Sequence, residues 1–176
     1  MTPAIDWHPV RANNTSVKNL GALVKTTIFT IFVPGTVAGY IPWRLERDAI
    51  AVSGIEAWAA IALIGSGIII YLSTAFWGFA LVGEGTPAPI APTKILVVRG
   101  LYRYVRNPMY IGVALVIAGQ AWLFHSRHVA IYLACVLVIV NFFVIMYEEP
   151  TLKRQFGEEY DRYRVDVPRW IPKIRR

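Results

Sequence analysis

The sequence predicts an all-α integral membrane protein of about four transmembrane helices, with room for a fifth, plus a cytoplasmic amphipathic C-terminal helix. Three observations carry this. Of the 176 residues 56% are hydrophobic, above the roughly 45–50% of ordinary soluble domains, and the mean hydropathy is +0.47. The apolar residues gather in four long segments. Six Trp and nine Tyr suit a chain with two bilayer interfaces, where amphipathic rings settle at headgroup level. The formal charge of +7 would also suit nucleic acid, but no basic run alternates with aromatics on a soluble segment, so membrane loops account for it. Cys135 is the single cysteine and sits in an apolar run, which leaves no disulfide framework and no thiolate metal cluster.

Taken in order, the first eighteen residues carry Asp6, Arg11 and Lys18 ahead of any apolar stretch. They read as the lead-in to a retained anchor helix, since no small-residue cleavage site follows a short apolar core. The NNTS at 13–16 fits a glycosylation acceptor only with an extracellular N-terminus, against the orientation below. Residues 20–43 form the first span, kinked at Pro34 and Gly35. Residues 55–82 form the second, long enough to tilt; its Gly65-Ser66-Gly67 reads as close helix packing. GEGTPAPIAP at 83–92 is a Pro-rich linker. The third span, residues 110–124, would be about 22 Å long and short of a roughly 30 Å core, so its helix must extend through Asn107 or thin the bilayer. Residues 129–147 form the fourth, with Glu148, Glu149 and Pro150 as a clean end. Gln120 and Asn141 are polar within spans three and four, and hydrogen bonds to each other or to neighbouring helices are expected.

Orientation follows from charge. The loop from 83 to 107 holds Lys94, Arg99, Arg103 and Arg106 against Glu84, while 44–48 is balanced and 125–128 carries Arg127 with His125 and His128. The positive-inside rule puts both termini and the 83–107 loop in the cytoplasm. The two histidines have no carboxylate neighbour in their loop, so no metal site is expected. Beyond the spans, Leu152, Phe156, Tyr160 and Tyr163 recur at helical spacing with charges between them, the pattern of an amphipathic helix lying on the membrane or on the bundle. Pro168 and Pro172 then force the basic end VPRWIPKIRR to be extended.

The short connection at 125–128 makes spans three and four an antiparallel hairpin. It brings Asn107, Pro108 and Tyr110 to the same depth as Glu148 and Glu149, with Arg103 and Arg106 close by. Asn107 is placed as N-cap and Pro108 as the first helical residue, and the free N–H groups of the next turn favour an anion. Two readings stand side by side: arginine anchors beside a solvated helix end, or a mixed-charge pocket for a zwitterionic ligand.

The blocks LVVRGLYRYVRNPMYIG and EEPTLKRQFGEEYDRYRVDVPRWIP resemble the isoprenylcysteine carboxyl methyltransferase and phospholipid methyltransferase superfamily, integral membrane enzymes that use S-adenosylmethionine. The resemblance covers the C-terminal half, and divides the single domain into N-terminal helices (1–82) and a cofactor-binding catalytic half (83–176). The family's Gly-x-Tyr-x-x-x-Arg-His-Pro-x-Tyr-x-Gly pattern falls on Gly100, Tyr102, Arg106, Asn107, Pro108, Tyr110 and Gly112. Its Glu-Glu-x-x-Leu block falls on Glu148, Glu149 and Leu152, and its Phe-Gly-x-x-Tyr-x-x-Tyr block on Phe156, Gly157, Tyr160 and Tyr163. Asn107 stands where the carboxyl methyltransferases have histidine, and Asn-Pro-Met-Tyr is similar to the phospholipid branch.

The resemblance implies a methyl transfer to a lipid or small hydrophobic acceptor at the cytoplasmic membrane face, either phospholipid N-methylation or isoprenylcysteine-type carboxyl methylation. It implies a cofactor site at Tyr102, Asn107, Pro108, Tyr110, Gly112, Glu148 and Glu149. Backbone N–H groups after Asn107 would take the methionyl carboxylate, either glutamate the ribose hydroxyls or the amino group, and Tyr102 and Tyr110 would wall the adenine or sulfonium through their π faces. Arg106 and Glu149 are the expected catalytic pair, Arg106 holding an anionic acceptor head and Glu149 deprotonating an amine. The alternative is a non-enzymatic binding or assembly protein that keeps the fold.

Overall fold

A computed structural model of the chain describes residues 16–46, 51–75 and 96–173, and every regular element among these is helical. The first helical run consists of α1 (Ser16–Gly35), a π-helical turn (Thr36–Tyr40) and α2 (Ile41–Leu45). Then come α3 (Ile55–Leu72), a 3-10 turn (Gly100–Arg103), α4 (Pro108–Leu123) and α5 (Arg127–Phe143). A second π turn (Val144–Glu148) leads into α6 (Glu149–Phe156), and α7 (Glu158–Asp166) follows. The Pro-rich stretch at 83–92, the end of the second span and the NNTS site lie outside the described residues or at their edge.

Two helices are long and apolar enough to cross a membrane, Ile55–Ala75 and the continuous run Arg127–Phe156, and only 17% of the most apolar stretch of each is buried within the chain. A soluble core helix would be mostly covered. Here large side chains such as Ile69, Ile139 and Phe142, each at least 65% exposed, need lipid or another apolar surface. At 16 residues α4 is about 24 Å long, so it remains shorter than a typical bilayer core even after starting at Pro108.

α3 and α4 are the most closely packed pair. A Cβ on Gly67 would lie 2.6 Å from the Gly112 carbonyl oxygen, and one on Gly112 would lie 2.8 Å from the Gly67 carbonyl oxygen. The backbones therefore touch, which the Gly65-Ser66-Gly67 segment anticipates. At the far end of the hairpin Ser126 caps α5 by accepting from the Val129 N–H at 3.1 Å, and it also donates to Glu46. His125, in the left-handed region at φ 45°, has a carboxylate neighbour after all: Glu56 lies 3.7 Å away, brought in from the start of α3.

The π turns at 36–40 and 144–148 share a cause that the π segment at 73–75 does not. Pro42 has no N–H to give the Ala38 carbonyl, and the Ile41 N–H goes to Thr36, so the carbonyls of Val37 and Ala38 lose their ordinary partners. Side chains replace them: Tyr132 donates to Val37 at 2.9 Å and Gln120 to Ala38 at 2.7 Å. Gln120 thus bonds to α1's continuation and Asn141 accepts from Trp170 at 3.0 Å, so the two span residues meet different partners and not each other. The second π turn repeats the pattern, the Glu149 N–H reaching Val144 ahead of Pro150. This corrects the expected clean end of the fourth span at Glu148-Glu149-Pro150. The π turn absorbs the proline's missing donor, and the helix runs on to Phe156.

The amphipathic C-terminal segment is two short helices joined at Gly157, which takes φ 53°. Its stripe is covered by the chain itself: Tyr160, Tyr163 and Val167 are buried together, with Leu96, Val98, Leu152 and Phe156 packed around them. Beyond Val167 the helix has stopped, as the two prolines require, but the chain bends at residues 169–171 where an extended segment was expected.

Candidate functional site

The site forms where the start of α4 meets the end of the long Arg127–Phe156 run. Tyr102 is buried in the 3-10 turn, and its carbonyl accepts from Tyr163 at 2.8 Å. Burial pushes the Tyr163 phenol well above its usual pKa, against the pull of Arg106, so Tyr163 stays a donor. The turn delivers Arg106 and Asn107, and Pro108 begins α4 with its missing N–H where none is needed.

Two acids answer them, Glu148 at the end of the second π turn and Glu149 at the start of α6. The Tyr110 hydroxyl donates to Glu148 Oε2 at 3.0 Å. Arg106 Nη1 lies 3.0 Å from Glu149 Oε1 and also donates to the Tyr160 hydroxyl at 3.2 Å. The Arg106 and Glu149 side chains are only 12% and 14% exposed, so each depends on the other to offset the loss of water. The π turn that ends at Glu148 shifts the helical register, and the two neighbouring glutamates reach different partners. Together Arg106, Asn107, Val144, Glu148, Glu149 and Leu152, with Tyr160 and Tyr163, line a cleft of about 240 Å³ including its open mouth. Arg106 Nε is buried there with no hydrogen-bond partner among the described residues.

The C-terminal tail closes one side. Arg169 donates to Glu149 through Nε at 2.7 Å and Nη2 at 3.0 Å, one contact to each carboxylate oxygen, a bidentate geometry. That bond stabilises the guanidinium charge and raises the Arg169 pKa further. The tail's backbone is tied to the turn before α4, with Arg106 N donating to Pro168 at 2.9 Å and Lys173 N donating to Tyr104 at 3.0 Å. Trp170 sets its ring edge-on to Tyr110, centroids 6.4 Å apart.

The hairpin therefore brings Arg106, Asn107, Tyr110, Glu148 and Glu149 together, and leaves other expected residues elsewhere. Gly112 faces α3, where its bare backbone packs against Gly67. Tyr102 lies buried behind the cleft lining, and Arg103 is exposed. Asn107 occupies the N-cap position without capping; its side-chain amide donates instead to the Arg169 carbonyl at 3.1 Å. Glu149, expected to be a base, is already gripped by two guanidiniums. Arg169 and Trp170 are the residues that sequence reasoning missed. Their signal was present, an Arg-Trp pair between two prolines, but nothing local says where a non-helical tail returns.

Residues 55–159 match the phospholipid methyltransferase family. A stretch of 82 residues is 37% identical to the protein-S-isoprenylcysteine O-methyltransferase of Schizosaccharomyces pombe, covering 46% of this chain and 34% of the relative, about a third of that protein's length. No solved structure matches the chain. The family match takes in α3 to the start of α7, both acids and the whole hairpin, and the chain belongs to the phospholipid methyltransferase family.

Proposed function

We propose that the protein is an integral membrane methyltransferase that uses S-adenosylmethionine to methylate a lipid or small hydrophobic acceptor. The observation that carries this is the pairing of the two motif blocks across the hairpin, Tyr110 to Glu148 and Arg106 to Glu149, each at 3.0 Å. The donor set suits a zwitterion. The orphan Arg106 Nε offers a site for an anionic group, a carboxylate of the donor or the head of the acceptor. Among the described residues Glu148 accepts one hydrogen bond, at Oε2, so further lone pairs remain for hydroxyl or ammonium donors. The free volume within the cleft is about 20 Å³, far below the roughly 300–1,000 Å³ typical of small-molecule sites, so a nucleoside-sized ligand would require the cleft to open.

S-adenosylmethionine supplies an electrophilic methyl group when bound. Displacement at that carbon needs little covalent help, so the protein's task is positioning and electrostatics. Arg106, fixed by Glu149 and Tyr160, would orient an anionic group. An amine acceptor must also lose a proton, and Glu148 suits that role better than Glu149, most of whose lone pairs two arginines occupy. Asparagine at 107 provides no base. The full topology belongs to the same reading: four spans, the helical run 16–45 and short α4 joining the two long helices, with both termini and the cleft on the cytoplasmic side.

Calorimetric titration of S-adenosylhomocysteine into detergent-purified, lipid-supplemented protein tests the proposal. Saturable binding that Glu148→Ala weakens about a hundredfold is the expected result. No binding by folded wild type would discard the enzymatic reading in favour of a binding or assembly role.

A further inference from the structure

We propose that Arg169 is a positioning residue for the methyl donor, acting through Glu149, and that it makes the tail 167–173 a functional wall of the site. This rests on the methyltransferase reading above. A carboxylate offers about four lone-pair positions. Glu149 Oε1 takes Arg106 and Arg169, and Oε2 takes Arg169, so among the described residues one position is left, on Oε2. Arg169 thereby decides where that last acceptor points. With Arg106 alone, a single contact at one oxygen would leave the carboxylate free to turn about a torsion that is intrinsically broad.

The guanidinium is not what holds the tail. Pro168 accepts from the Arg106 N–H, the Arg169 carbonyl accepts from Asn107, Lys173 donates to Tyr104, and Trp170 donates to Asn141. Pro168 and Pro172 stiffen the backbone between these ties. Four anchors survive removal of the Arg169 side chain, so its contact with Glu149 can be deleted while the wall stays in place. Lysine would keep the charge but cannot span both carboxylate oxygens.

The test is a double-mutant cycle read by S-adenosylhomocysteine affinity on the full chain: wild type, Arg169→Ala, Glu149→Gln and the double variant, with Arg169→Lys alongside. Arg169→Ala should weaken binding by about tenfold, equivalent to roughly 1.4 kcal/mol. Arg169→Lys should recover part of that loss. The double variant should bind within about twofold of Glu149→Gln, because the two residues act as one unit. Wild-type affinity in Arg169→Ala overturns the proposal, as do losses that simply multiply in the double variant. Should Arg169→Ala fail to fold, the cycle is run with Arg169→Gln under the same criteria. Failure of wild type to bind removes the methyltransferase reading and this inference together, whereas binding by wild type that Arg169 does not influence removes the inference alone.

Discussion

At Thr36–Tyr40 and again at Val144–Glu148 the helix widens into a π turn just ahead of a proline, Pro42 in one case and Pro150 in the other. The backbone defect is the same, but its surroundings differ. Around the first turn, side chains of neighbouring helices reach inward, Gln120 from α4 and Tyr132 from α5, and satisfy the stranded carbonyls. Around the second, the chain's own side chains reach outward, Glu148 to Tyr110 and Glu149 to Arg106 and Arg169. One defect is sealed by neutral donors and serves packing. The other carries two acids into a cleft. A π turn is thus a structural opportunity whose use is settled by the side chains nearby.

The comparison can be broken most sharply at the second turn. Glu148→Ala should cost S-adenosylhomocysteine affinity about a hundredfold, roughly 2.8 kcal/mol, while thermal unfolding in detergent stays near wild type; a collapse of stability instead would make the second turn structural like the first. Gln120→Leu should do the reverse. It strands the partly buried Ala38 carbonyl and should cost about 2 kcal/mol of unfolding free energy, with ligand affinity unchanged in the titration. Tyr132→Phe leaves the Val37 carbonyl without its donor but retains the ring's packing, so about 1 kcal/mol is expected in the same unfolding experiment. The smallest effect is the most telling: Pro42→Ala should change stability by only about 0.5 kcal/mol, yet restore an N–H for Ala38 and so reduce the cost of Gln120→Leu when the two are combined.

How much of this was legible follows from which contacts are local. The hairpin was readable because the short 125–128 connection fixes the depths of Tyr110 and Glu148, and the motif spacing then marks Arg106 and Glu149. The division of labour between the two acids was not, since it depends on Arg169, twenty residues beyond Glu149 in sequence. Asn107 was rightly placed at the head of α4, but its amide turns to a carbonyl 62 residues away, a partner no capping rule supplies. The continuation past Pro150 was hidden because proline ordinarily ends a helix, and only a widened turn lets it pass. Gly112 shows the opposite limit: a motif position that reads as ligand-binding meets a neighbouring backbone here.

That glycine contact bears on how the protein can move. A seam of carbonyl against Cα has no side chain to compress or re-rotamerise, so α3 and α4 should translate as one rigid body. Tyr110 sits two residues from the seam and inherits its stiffness. Any breathing that admits a bulky solute must then come from the opposite bank, where the end of the long helix and α7 meet the head of α4 through side-chain hydrogen bonds and an ion pair and not through backbone contact, and hydrogen exchange should be faster on that bank than along the glycine seam.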